Sequence, residues 1–195
     1  TELIIYTTMN SPLDTITPSI LQRVIWGPLR ALFYFFCSFE IIGREHIQNI
    51  QHNIILASNH TSELDPLIIL TALPFFSHHI PLFSVSREKS FYQDMGWKKF
   101  IYGGRLFQML GAFQAMVGLK NYEESLRPHL KLLGEGRCVL IFPSGKINRH
   151  GEQPKAKGGV AFLARKTSMP IIPVHIKNVE HMTLRDFFLR KRKMQ

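Results

Sequence analysis

Five short apolar-rich runs, separated by longer amphipathic stretches, constrain this chain most. They are Phe39–Ile42, Asn53–Ala57 (NIILA), Ile80–Ser86, Cys138–Phe142 (CVLIF) and Ile171–Ile176 (IIPVHI). Runs of this length suit β-strands, and nearly continuous apolar ones suit strands buried on both faces. Helical spacing occupies the intervals. Pro66–Leu73 follows the second run, and Trp97–Leu110 brings Phe100, Phe107 and Leu110 near one face. Asn121–Leu133 aligns Tyr122, Leu126, Leu130 and Leu133, with Gly134 as its terminator and Pro128 expected to kink it. Gly158–Lys166 forms one more short helix. This alternation predicts an α/β fold, a single domain with a mostly parallel central sheet flanked by helices. A chain of 195 residues has room for one ordinary core.

The N-terminal part reads differently. Between Ser19 and Phe39, Arg23 and Arg30 sit among Trp26, Leu29, Leu32, Phe33, Tyr34 and Phe36. That mixture suits a helix lying in the plane of a membrane interface, or one packed on the core by its aromatic face. The expected division is an N-terminal interfacial helical segment, 1–38, ahead of the main domain, 39–195. Crossing a bilayer takes roughly 18 uninterrupted apolar residues. The best run, Ala31–Phe39, is about half that length. The start carries neither an initiator methionine nor a signal-peptide layout, and the basic tail from Arg185 to Gln195 stops without a structural terminator. Both ends are expected to be cut.

Charge narrows the choice of partners. With 24 Lys+Arg against 14 Asp+Glu the formal net charge is +10, which favours nucleic acid, an anionic membrane face or a phosphate-bearing substrate. The two cysteines, Cys37 and Cys138, form no C-x-x-C, so two buried free thiols are expected rather than a disulfide scaffold, zinc finger or iron–sulfur site. No metal site is expected either. H-E-x-x-H is missing, the adjacent His78 and His79 should diverge, and His129 has no ligand partner one turn on. Glu123 and Glu124 open a helix, where its dipole favours them.

Two segments carry candidate chemistry. Asn59-His60-Thr61-Ser62-Glu63-Leu64-Asp65-Pro66 follows the NIILA strand, at the kind of junction where α/β folds open a crevice. Asp65-Pro66 reads as an N-cap followed by proline at the first helical position. A regular helix would hold positions five apart well separated in angle, so His60 meets Asp65 only if the preceding loop folds back. Such a pair can take a proton from an alcohol while the carboxylate fixes the imidazole tautomer. The second segment, Phe142-Pro143-Ser144-Gly145-Lys146, follows CVLIF, with Arg149 and Gly151 close behind. A glycine turn with nearby cations suits a phosphate, although G-x-x-x-x-G-K-[ST] is lacking. A plain surface turn is the alternative.

In this order the blocks resemble the glycerolipid acyltransferases, typified by lysophosphatidic acid acyltransferase. The N-H-x-x-x-x-D block is matched by Asn59, His60 and Asp65. The basic residue ahead of the middle block is matched by Arg87 in VSREKSF, F-P-E-G by Phe142-Pro143-Ser144-Gly145, and the late V-P-V-x-P-V block by Met169–Ile176. The likeness spans about Phe39–Ile176. Two departures stand out: Ser144 and Ile147 replace the family's Glu and following Arg, and Val117 stands where the middle block ends in Arg.

The resemblance implies an acyltransferase domain over 39–195. His60 would act as general base, oriented by Asp65, on a lysophospholipid hydroxyl such as that of 1-acylglycerol-3-phosphate. The acyl group would come from acyl-CoA or acyl-carrier protein, with no metal or other cofactor. Arg87, Ser144, Gly145, Lys146 and Arg149 are the expected substrate-binding residues. The partners expected are the thioester, the lipid acceptor and an anionic membrane surface, not nucleic acid, and the place is the cytoplasmic face of the inner membrane, peripheral or monotopic. The replaced arginines leave the acceptor open. They also suggest the alternative of a catalytically divergent membrane-surface protein. A basic nucleic-acid-binding module, resting on the charge and the 185–193 cluster, is the reading from another class.

Overall fold

The computed structural model describes residues 13–62, 64–86, 105–116, 121–148 and 155–179. At its centre lie β1 (Ile55–Ser58), β2 (Leu82–Ser86), β3 (Ala112–Gln114), β4 (Cys138–Ile141) and β5 (Ile171–Val174). Every pairing is parallel, in the order β3-β2-β4-β1-β5. Side chains alternate across a strand, so each apolar run feeds two cores. Ile54, Leu56, Leu82, Cys138, Leu140 and Phe142 belong to one, Ile55, Phe83, Val139 and Ile141 to the other. Helices α1 (Leu13–Cys37) and α3 (Asp65–Ala72) supply Phe33, Cys37, Ile68 and Ile69 to the first. On the opposite face, α6 (Arg127–Gly134) and α7 (Gly159–Thr167) supply Leu132, Leu133 and Leu163. Short helices α2 (Glu45–Gln48), α4 (Arg105–Met109) and α5 (Tyr122–Ser125) complete the described elements.

Several expectations need correction. Phe39–Ile42 is not a strand. Its one buried side chain, Phe39, packs against the rings of Phe33 and Tyr34, while Ile42 is exposed. The helix expected over Asn121–Leu133 is two helices, because Pro128 lies in a first turn, where its missing N–H is harmless, and a new helix starts just ahead of it. Of Trp97–Leu110, Arg105–Met109 is helical, and 97–104 lies outside the described residues. The β5 run is an edge strand, which is how it tolerates Pro173. Strand β3 has only three residues, too few to leave a pattern.

Helix α1 keeps Pro18 and Pro28 in its interior, each removing a backbone hydrogen bond, so tertiary contacts must hold it. They come from one face. The Gln22 amide accepts from Leu82 N–H and donates to the carbonyls of Leu82 and Leu110, all at 2.8 Å. Arg23 donates to the carbonyls of Phe75 and Ile80, Trp26 Nε1 to that of Leu73, and Arg30 to that of Thr71. Gly111 makes the Gln22 seat possible. It has φ +88°, and a Cβ there would come within 2.9 Å of both the Gln22 amide nitrogen and the Leu82 carbonyl.

His129 on α6 is completely buried, against the backbone of Phe113 and Ser84, and among the described residues neither ring nitrogen has a well-formed hydrogen bond. Desolvation pushes its pKa down to about 4, those backbone groups partly opposing. The unfolded chain takes up this proton near 6.5, so the stability of the neutral ring is full above that pH and lost as pH falls towards 4. A depression of that size is worth roughly 3 kcal/mol, or about 6–12 °C in a chain of this length. His79, pushed down to about 4 by burial and by His78, adds to the same window. Thermal midpoints measured from pH 7 to 4.5 should fall steeply, and His129→Leu should fall less; parallel curves would contradict this account.

Candidate active site

The site is placed by register. β1 and β4 are parallel neighbours with Ala57 opposite Ile141, so the loops that leave them emerge side by side at the carboxyl edge of the sheet. One loop begins Asn59-His60, the other Phe142-Pro143-Ser144-Gly145. The His60 ring stacks on Phe142 at 3.9 Å between centroids, 16° from parallel. Its carbonyl accepts from Asn148 N–H at 2.7 Å. On the other side of β1, the Asn59 side chain accepts from Ile176 N–H and donates to the Ile176 carbonyl, both at 2.8 Å. His60 is therefore fixed from the exits of both neighbouring strands.

Asp65 is the first residue of α3, with Leu64 in the cap position, so the expected N-cap is displaced by one. Its carboxylate turns back on the loop instead of forward on the helix. Oδ2 accepts from Thr61 N–H at 2.7 Å and Ser62 N–H at 3.0 Å, and lies 2.9 Å from His60 Nδ1. A carboxylate gathering two backbone donors is an acceptor, so Nδ1 donates to it, and in the neutral ring the lone pair falls on Nε2. Asp65 is fully buried, whereas the His60 side chain retains 18% exposure, so the second ring nitrogen belongs to the partner that solvent can reach. Asp65 Oδ1 and Thr61 Oγ1 are buried and have no partner among the described residues.

The second loop closes on itself. Gly145 N–H donates to the Phe142 carbonyl at 2.9 Å, and the Ser144 hydroxyl donates to the Lys146 carbonyl at 2.8 Å. Gly145 has φ +64°, a conformation that favours glycine. Ser144 thus holds the turn, and the Lys146 side chain is exposed. Arg87, Arg149 and Val117 lie outside the described residues. The residues the structure brings together are His60, Asp65 and the 142–148 turn. Elsewhere, His78 and His79 do not diverge: their rings approach to 3.9 Å, His79 buried and bonded to Ser77. Among the described residues no group of three or more His, Cys, Asp or Glu converges to hold a metal ion. Cys37 and Cys138 are buried free thiols.

A family model described as Acyltransferase matches residues 38–177, most of the chain. The chain belongs to the acyltransferase family. A 1-acyl-sn-glycerol-3-phosphate acyltransferase of Borreliella burgdorferi is 26% identical over 148 residues, 75% of this chain and 54% of that protein. Similarly named proteins of Chlamydomonas reinhardtii and Brassica napus are 25% and 24% identical, over 71% and 77% of this chain and 38% and 40% of theirs. The chain thus spans about half the length, or less, of the curated relatives it matches. The solved LPA acyltransferase PlsC of Thermotoga maritima shares the fold, with TM-score 0.56 and 19% identity over 82% of this chain and 61% of that one.

In this acyltransferase-family chain α1 lies ahead of the matched residues, yet it contributes Phe33 and Cys37 to the first core. No helix among the described residues is long and apolar enough to cross a membrane. Two positions near the site were not singled out for a role in it from the sequence. One is Asn59 as an anchor; its place beside His60 was the available signal. The other is Lys157, whose N–H donates to the Pro143 carbonyl at 2.9 Å, a contact twelve or more residues apart that no local pattern reveals.

Proposed function

We propose that this chain moves a fatty acyl group from a thioester, acyl-CoA or acyl-carrier protein, to the hydroxyl of a lysophospholipid such as 1-acylglycerol-3-phosphate. The observation that carries the reading is the His60–Asp65 pair, with Nδ1 held by a buried carboxylate and Nε2 left over. Nε2 takes the acceptor's hydroxyl proton as its oxygen attacks the thioester carbonyl. The tetrahedral intermediate collapses with cleavage of the carbon–sulfur bond, and the imidazolium returns the proton to the departing sulfur. An ester and a thiol result, with no acyl-enzyme. General-base help of this kind contributes roughly 10²–10⁴ in rate. The names of the three relatives support this acceptor class.

A membrane face fits the same reading. Ile16, Ile20, Val24, Pro28, Ala31 and Phe35 of α1 are all exposed, and steps of three and four residues make them one apolar stripe along the helix. Phe76 is 90% exposed; it stacks on Phe75, which packs on Trp26 at the core side of α1. Arg23 and Arg30 point the other way, into backbone carbonyls. Attraction to anionic lipid comes from the overall charge of +10. The stripe supports peripheral attachment, on the cytoplasmic side where thioester donors are found.

One assay tests both parts. The protein is incubated with acyl-CoA or acyl-carrier protein and mixed lysolipids in anionic vesicles, then products are read by mass spectrometry and bound protein by pelleting. A doubly acylated phospholipid should form. Ile20→Asp with Val24→Asp should reduce the bound fraction, by roughly tenfold in partition constant per residue. A folded protein that acylates nothing from either donor overturns the proposal.

A further inference from the structure

Resting on that reading, we propose that Lys157 is the cation that receives the acceptor's phosphate, and so sets the preference for a phosphorylated acceptor. The lysine belongs to the segment ahead of α7, far in sequence from the turn it touches. Its backbone N–H donates to the Pro143 carbonyl at 2.9 Å. Its side chain lies on the Gly145 face: Cδ, Cε and Nζ would stand 3.5, 3.4 and 3.1 Å from a Cβ at Gly145. The φ of +64° favours glycine there, and a methyl group would press only on the flexible end of the lysine.

The same turn carries Phe142, on which the His60 ring stacks, and ends at Asn148, whose N–H holds the His60 carbonyl. The ammonium thus lies against the loop that walls the general base. No ion pair ties Lys157 among the described residues. Ser144, by contrast, has its hydroxyl engaged inside the turn, and Ile147 brings no charge.

The chemistry then fixes the ligand. In 1-acylglycerol-3-phosphate the attacking hydroxyl and the phosphate sit on adjacent carbons. With the hydroxyl at His60 Nε2, the phosphate falls beside the same histidine, where an exposed lysine serves as a point-charge partner. Acyl-CoA also carries phosphates, so the donor is the competing source of the same ligand.

The test uses the whole chain and compares wild type with Lys157→Met and Lys157→Arg. Acceptors are 1-acylglycerol-3-phosphate and its phosphate-free analogue 1-acylglycerol; donors are acyl-CoA and acyl-pantetheine, which lacks the nucleotide phosphates. Lys157→Met should raise KM for the phosphorylated acceptor about 10- to 100-fold, leave kcat within a few-fold and leave KM for 1-acylglycerol unchanged. Lys157→Arg should recover most of the loss. In parallel, calorimetric binding of glycerol 3-phosphate should weaken by a similar factor in Lys157→Met. A rise confined to KM for acyl-CoA, missing with acyl-pantetheine, assigns the lysine to the donor and overturns the proposal, as does an unchanged KM together with unchanged glycerol 3-phosphate binding. Lys157-dependent binding by a chain without acyl transfer would sink the enzyme reading and leave this one standing; robust transfer indifferent to Lys157 would do the reverse.

Discussion

His60→Ala is expected to lower kcat for acyl transfer by about 10²–10⁴-fold with little change in KM for either substrate. Proton transfer passes through one nitrogen, Nε2, and its removal leaves only substrate positioning. Folding should survive. The lost contacts are the stack on Phe142 and the Nδ1 bond, while Asp65 keeps its two backbone donors and the His60 carbonyl keeps Asn148. Circular dichroism and a thermal midpoint close to wild type check this, and initial rates at saturating donor give kcat. A folded His60→Ala protein turning over at the wild-type rate would remove the general base from the mechanism.

The central strands were legible because they leave an unambiguous trace. Parallel strands covered on both faces become unbroken apolar runs, and NIILA and CVLIF are that trace. Phe39–Ile42 misled for a related reason: Phe39 is buried, but its partners are two rings of α1 rather than a neighbouring strand. The division of Asn121–Leu133 was half legible, since Pro128 announced a break but not that the downstream part would begin as a fresh helix. The length of α1 was hidden by Pro18 and Pro28, which argue locally against a helix; hydrogen bonds to residues 41 to 88 positions away override them.

The site divides in the same way. His60 and Asp65 could be paired from spacing and the demand for a turn, because both lie in one loop. Which atoms meet could not: Asp65 was expected to serve its helix's N-terminus, whereas Oδ2 is turned back onto Thr61 and Ser62. The approach of the 142–148 turn depends on β4 lying next to β1, a fact of sheet order. Lys157 depends in addition on the path from β4 to α7. Contacts that need topology before they exist are the ones sequence leaves dark.

Asp65→Asn is the second large effect, and the backbone donors decide its size. Where an aspartate merely faces a histidine, the amide can turn its NH₂ to the ring, forcing the proton onto the wrong nitrogen at about 10⁴-fold in rate. Here Thr61 N–H and Ser62 N–H both point at the Oδ2 position and require an acceptor. The amide oxygen must therefore take that position, and the NH₂ group goes to that of Oδ1, which has no partner among the described residues to lose. From there the oxygen still accepts the Nδ1 proton, so the productive tautomer survives and only the negative charge that steadies the imidazolium is lost. A charge-assisted hydrogen bond is worth about 1.5–3 kcal/mol, so kcat should drop by about 10- to 100-fold. Asp65→Ala should be worse on both counts, since it strands two backbone donors at about 1–3 kcal/mol each and frees the ring to rotate. Steady-state kinetics on the two variants beside His60→Ala separate these effects. Were Asp65→Asn as inactive as His60→Ala while still folded, the backbone donors would not be fixing the amide, and the carboxylate's hold on Nδ1 would have to be redrawn.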